Sequence, residues 1–362
     1  MIDYKLHIPG PVNVSPEAYQ ALTTPVMGHR SSDFVDLYNQ CQPLLQKLFQ
    51  TQDPVFLSTS SAWGVMEGAV RNLTRKKTLC CGCGAFSDKW IDVTSRCGKE
   101  VEALQVEWGK HIDPKELDER LATGEFDLVT LVHNETSCGM MNPLEDIMKV
   151  LAKYPEVLSV IDTVSSFSVV PIPKDQWGID VLLTGSQKAL ALPPGLALFS
   201  VSQRAFERAK EIEARGYYFD FLEFLKNHEK GMTPSTPVIP LIHGLLHTLE
   251  TIFEEGVENR FSRHAQLNSL VHQWVEKNGF ELLPEKRYAS KSLSCVKNNL
   301  NMDVGGFVKA LREERKLSID GGYGKIKGQT FRISNMGNET VESISHLLSQ
   351  MDEILPRFLP SS

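Results

Sequence analysis

The middle of the chain alternates short apolar runs with amphipathic stretches. Leu128-Val129-Thr130-Leu131-Val132 carries no charged position, the pattern of a strand buried on both faces. Asn142-Pro143 reads as a helix start, a capping residue ahead of a proline suited to the first helical turn. Ile147, Val150 and Leu151 then recur at helical spacing. Val157–Ile161 is the next apolar run and ends on Asp162; Val181–Leu183 ends in Thr184-Gly185-Ser186. Leu196–Val201 follows a Pro-Pro-Gly turn, and Ser202 is placed to cap a charged helix running to about Arg215. Pro54–Leu57 and Thr78–Cys81 read as two more strands. The alternation predicts an α/β fold, a mostly parallel sheet covered by helices.

After Pro240 the pattern changes. Residues 241–277 read as long helix, interrupted near Gly256. Short strands are expected at Ser292–Val296 and Thr330–Ile333, and helices at Asp303–Glu314 and Glu339–Leu355. This is an α+β pattern. It predicts a large domain over 1–250, with an N-terminal arm over 1–20, and a smaller C-terminal domain over 251–362. A chain of 362 residues is long enough for two cores.

Composition narrows the function classes. A net charge of −7 and the lack of a long basic run argue against a general nucleic-acid binder. No apolar run is long enough to span a membrane, and Met1–Lys5 does not open a signal peptide. A cytoplasmic protein is expected. Seven cysteines are present; Cys80, Cys81 and Cys83 crowd together, but Cys-Cys-x-Cys is not a zinc spacing. No metal site is expected, and these thiols read as small core residues.

Functional groups of an open α/β sheet gather at the carboxyl ends of its strands. Four candidates lie at such ends: Ser58–Ser61, the stretch His133-Asn134-Glu135-Thr136, Asp162, and Ser186-Gln187-Lys188. Ser58–Ser61 opens a helix, where hydroxyls and backbone N–H groups suit an anion. Asp162 is an acid inside an apolar stretch, costly unless it holds a cation. Lys188 lies between apolar segments, which lowers an amine pKa and makes it a nucleophile toward aldehydes. Each has a plain structural alternative: helix capping, a cap or buried salt bridge, and a snorkelling surface lysine. Together they supply what pyridoxal phosphate needs: a phosphate site, a partner for the ring nitrogen and a Schiff-base lysine. A nicotinamide-binding Rossmann domain is not indicated, since no G-x-G-x-x-G follows a strand.

Longer motifs then stand out. Pro9-Gly10-Pro11-Val12-Asn13-Val14, Gly28-His29-Arg30-Ser31 and Asp162-Thr163-Val164-Ser165-Ser166 are three. The most specific runs from Trp177-Gly178-Ile179-Asp180 through Gly185-Ser186-Gln187-Lys188-Ala189-Leu190 to Pro193-Pro194-Gly195. The segment 321–337, GGYGKIKGQTFRISNMG, is the last. With these, nearly the whole chain resembles the class V aminotransferases of the alanine–glyoxylate and serine–pyruvate kind.

The resemblance implies a fold-type I homodimer using pyridoxal phosphate, with Lys188 as the Schiff-base lysine and Asp162 on the ring nitrogen. It puts Val164 and Phe86 against the ring and Thr136 near the ring oxygen. It puts Ser61, Ala62, Trp63 and Gln187 on the phosphate, and Arg332 on the substrate carboxylate. Ser235 and Thr236, within Thr233–Pro237, would reach the phosphate of the other subunit. The implied reaction moves an amino group from alanine or serine to glyoxylate or pyruvate. Aspartate or 2-aminoethylphosphonate transamination, and a cysteine desulfurase-like lyase with Cys138 or Cys295 as nucleophile, are the alternatives. Two positions depart from the family pattern: the cradle Ser58-Thr59-Ser60-Ser61-Ala62-Trp63-Gly64 is poor in glycine, and Met232 replaces a phosphate-binding tyrosine.

Overall fold

The computed structural model describes residues 4–360; the first three residues of the expected arm and the last two of the C-terminal region lie outside it. Seven strands form the main sheet: β1 (Val55–Ser58), β2 (Thr78–Gly82), β3 (Val101–Gln105), β4 (Leu128–Val132), β5 (Leu158–Asp162), β6 (Val181–Gly185) and β7 (Ala197–Val201). Their spatial order is β1-β7-β6-β5-β4-β2-β3. Six run the same way; β7 alone is antiparallel to both its neighbours.

The apolar runs are fully buried because successive residues feed two cores. Val129, Leu131 and Ile161 face one, packed against the helix Ser32–Phe49 and helix α3 (Ile239–Glu255). Leu128, Val132, Val160 and Phe199 face the other, packed against helix α1 (Ala62–Leu73). Cys80 and Cys81 lie within β2, one in each core, and burial raises both thiols above their ordinary pKa.

Beyond Gly256, helix α4 (Val257–Lys277) leads to a three-stranded antiparallel sheet of β8 (Glu281–Leu282), β9 (Leu293–Lys297) and β10 (Thr330–Ser334). Helices α5 (Val304–Arg315) and α6 (Val341–Ile354) cover it, and its core is built from buried residues between Leu267 and Leu355, with Phe358 and Leu359 packed against them. The N-terminal segment ties this part to the main sheet. Lys5–Leu6 pairs in parallel with Leu317–Ser318, and Val12 packs with Ala189, Ala191 and Met336.

Two local expectations are corrected. Asn142 does not cap a helix: its amide donates to the Val132 carbonyl and its oxygen accepts from the Ile112 N–H, so the helix Leu144–Leu151 starts without a side-chain cap. The helix capped by Ser202 stops at Lys210, because Arg215 folds back and donates to the Ala209 and Ile212 carbonyls.

Candidate active site

Register explains why the four strand-end groups meet. Val132 of β4 pairs with Asp162 of β5, and Asp162 pairs with Leu183 of β6. Ser58 of β1 and Gly185 of β6 both pair with Ala197 of the reversed strand between them. All of these residues lie along one edge of the sheet. A cavity of about 120 Å³ opens there, lined by Ser61, Ala62, Trp63, Phe86, Thr136, Asp162, Val164, Gln187 and Lys188. Met66, Val132, Asn134 and Ser165 complete its wall.

Lys188 stands on the connection between β6 and β7. Its turn is closed by Ala191 N–H donating to the Lys188 carbonyl and by Ser186 Oγ donating to the Pro193 carbonyl. Ala191 adopts a left-handed φ of 52°, a conformation unfavourable for a residue with a Cβ. Packing of Val12, Val169 and Met336 around it holds the turn. The Lys188 amine donates to the Pro9 carbonyl of the N-terminal segment. Its pKa is lowered to about 8, by burial first and by the nearby Arg332 charge second, with Asp162 opposing both.

Asp162 is buried, and desolvation raises its carboxyl pKa to about 7, against a hydrogen bond received from the Val164 N–H. Among the described residues it has no salt-bridge partner. The Trp90 indole N–H makes no hydrogen bond of regular geometry, yet lies near enough to favour the Asp162 carboxylate. A buried carboxylate without a cation, facing a cavity, is a ready acceptor for a cationic ring N–H.

The cradle fits an anion despite its lack of glycine. Ser61 takes the cap position of α1, but its hydroxyl makes no capping bond. The first N–H groups of a helix have no partner inside it, so those of Ala62 and Trp63 remain free for an anion. Gln187 borders the same cavity. Thr136 donates its hydroxyl to Ser165, and Ser165 in turn donates to the Asn134 carbonyl.

Arg332 leaves β10 beside Lys188. Its Nε donates to Asp320 at 2.8 Å and its Nη1 to the Thr136 carbonyl at 2.7 Å. Among the described residues no hydrogen bond uses Nη2. Ser235 and Thr236 do not reach this cavity; they line a separate crevice beside Thr59 and Tyr218.

Glu135, named in the sequence only as part of the strand-end stretch His133-Asn134-Glu135-Thr136, gains a role in the structure. It is fully buried and accepts from the backbone N–H of Phe86, Ser87 and Ser137 and from the hydroxyls of Ser87 and Ser137. It thereby closes the start of helix α2 (Ala85–Arg96), which carries Phe86. A carboxylate next to Thr136 at a strand end was the available signal. Glu135→Ala strands these donors, so it is expected to cost about 3 kcal/mol of unfolding free energy, measured as a lowered urea midpoint with an unchanged slope.

The arrangement suits a phosphate, a cationic aromatic nitrogen and an aldehyde at one place, which is the outline of pyridoxal phosphate. The class V aminotransferase pattern matches residues 15–344. The chain belongs to the class V aminotransferases. It is 36% identical over 337 residues to an uncharacterised aminotransferase of Methanocaldococcus jannaschii, covering 92% of this chain and 87% of that one. It is 32% identical over 347 residues to the serine–glyoxylate aminotransferase of Methylorubrum extorquens, covering 92% and 86%. The solved alanine–glyoxylate aminotransferase of Nostoc sp. superposes with a TM-score of 0.92 at 29% identity, over 98% of this chain and 96% of that one. Class V membership brings pyridoxal phosphate as cofactor and fold type I as architecture.

Proposed function

We propose that this class V aminotransferase transfers the amino group of alanine or serine to glyoxylate or pyruvate. The observation that carries the proposal is a lysine of lowered pKa and an unpaired buried carboxyl lining one cavity, with a half-free guanidinium beside the lysine. The names of the serine–glyoxylate and alanine–glyoxylate relatives support the substrate class.

When bound, pyridoxal phosphate supplies an aldehyde for the amino group and a ring that absorbs the electron pair left at Cα. The chain's residues do the rest. Ser61, Ala62, Trp63 and Gln187 hold the phosphate with N–H, hydroxyl and amide donors. Asp162 keeps the ring nitrogen protonated. Val164 and Phe86 would confine the ring, and Thr136, whose hydroxyl donates to Ser165, would stand near the ring oxygen. Lys188 Nζ would hold the cofactor's aldehyde carbon and, as a free amine, would take the Cα proton of the amino acid. Arg332 orients the carboxylate of amino acid and oxo acid alike with the donors that Asp320 and Thr136 leave free.

The proposal extends to a cytoplasmic homodimer of chains with a large domain over 1–250 and a small one over 251–362. Arg30 donates to the Thr233 and Pro234 carbonyls and fixes the shape of the segment bearing Ser235 and Thr236. Lying outside their own cavity, these two hydroxyls are assigned to the partner's phosphate. Met232 offers no strong donor there, so the hydroxyls carry that contact. All seven cysteines are free thiols, in keeping with a reducing compartment.

The test is a half-reaction screen. Single amino acids are added to the cofactor-loaded protein and the visible absorbance is followed. Alanine and serine are expected to bleach the lysine-bound band within turnover time, and aspartate and 2-aminoethylphosphonate far more slowly. No bleaching by any α-amino acid refutes the proposal. Cysteine is expected to release no sulfide. Cys138 and Cys295 are buried, and desolvation pushes both thiols up, Cys295 to about 12, which leaves neither as a thiolate nucleophile.

A further inference from the structure

Tyr323 lies on the loop 320–329 and is one of the few large aromatic side chains left exposed, at 41%. Its ring stacks on Phe86, with centroids 5.3 Å apart and planes at 28°. The same ring faces the Arg332 guanidinium, whose carbon is 5.3 Å from its centroid. Tyr323 thus bridges the aromatic side chain proposed to confine the cofactor ring and the cation proposed to grip the substrate carboxylate.

The loop holds the ring firmly. Asp320 accepts from both Arg332 Nε and the Gly322 N–H at 2.8 Å, so one carboxylate sets the guanidinium and the loop together. Gly322 has a φ of +91°, and a Cβ there would come within 2.7 Å of the Thr330 carbonyl. Gly324, at φ +52°, lies against Trp108, where a Cβ would sit 3.1 Å from the indole. The Lys325 ammonium lies 4.4 Å from the centroid of the same ring. The Trp108 indole N–H donates to Asp88 at 2.9 Å, and Asp88 belongs to α2, the helix carrying Phe86. Both stacked rings are therefore anchored to one helix by separate routes.

We infer that an amino acid gripped by Arg332 presents its side chain to this phenol, so that Tyr323 sets the upper limit on the length of the amino donor's side chain. It admits the methyl and hydroxymethyl groups of alanine and serine and turns away unbranched chains of three carbons or more. The inference rests on the proposed roles of Lys188 and Arg332.

The experiment compares wild type, Tyr323→Ala, Tyr323→Leu and Tyr323→Phe as cofactor-loaded proteins. kcat/KM is measured for alanine, 2-aminobutyrate, norvaline and norleucine. The norvaline-to-alanine ratio is expected to rise about tenfold or more in Tyr323→Ala, less in Tyr323→Leu, and not in Tyr323→Phe, because the ring forms the wall. Binding gives a second readout. Calorimetric dissociation constants for acetate, propionate, butyrate and valerate should worsen with length in wild type and level out in Tyr323→Ala. An unchanged ratio with flat binding in a variant that keeps its cofactor band overturns the inference. So does an equal loss for every donor. Should Tyr323→Ala fail to fold, Tyr323→Leu decides by the same ratio. Absence of alanine turnover in wild type strikes the proposed function instead.

Discussion

Lys188→Ala is expected to lower turnover by about four orders of magnitude or more, since the group that moves the Cα proton is gone. The visible band of lysine-bound cofactor should vanish as well. The fold should survive, because the substitution removes an amine whose burial is unfavourable to its charged form. The same amine sets a pH profile in the wild-type protein. Its pKa is lowered to about 8, and only the free base attacks an aldehyde. Cofactor uptake by the cofactor-free protein should therefore speed up about tenfold per pH unit below 8 and flatten above it. Stopped-flow absorbance measures this. Undiminished turnover in Lys188→Ala, or uptake independent of pH across that range, sinks the assignment.

Arg332→Lys should cut kcat/KM by about 10²–10³ for amino acid and oxo acid alike, on the order of 3–4 kcal/mol. A guanidinium satisfies Asp320 at Nε and the Thr136 carbonyl at Nη1 and still presents Nη2. An ammonium is a point charge and cannot serve all three directions in one plane. Cofactor affinity should hold, because the guanidinium grips the substrate carboxylate and not the cofactor. The outcome is read from steady-state kinetics with both substrates beside a cofactor titration. Equal KM values in wild type and variant for both substrates contradict the role.

Much of this architecture is legible in the sequence where local chemistry decides it. β4 and β5 are plain as mainly apolar runs, since burial on both faces admits only the small hydroxyls of Thr130 and Ser159 before the strand end at Asp162. The boundary signals at Gly256 and Asp303 also read correctly, for a glycine beyond α3 and an aspartate that caps α5 are local statements. The direction of β7 is not local. Its alternation suits either orientation, and only the pairing of Ala197 with both Ser58 and Gly185 shows that it runs backward. Asn142 looked like a cap because its competing partners, the Val132 carbonyl and the Ile112 N–H, are invisible in a linear string. The role of Glu135 was hidden for the same reason, as three of its donors, from Phe86 and Ser87, lie on α2. Tyr323 reads as a loop aromatic until the fold lays it on Phe86.

The pairing of Lys5–Leu6 with Leu317–Ser318, followed by the Pro9 carbonyl at the Lys188 amine, makes the beginning of the described chain a working part of the enzyme. Affinity handles and fusion partners spliced just ahead of Tyr4 would load that strap directly.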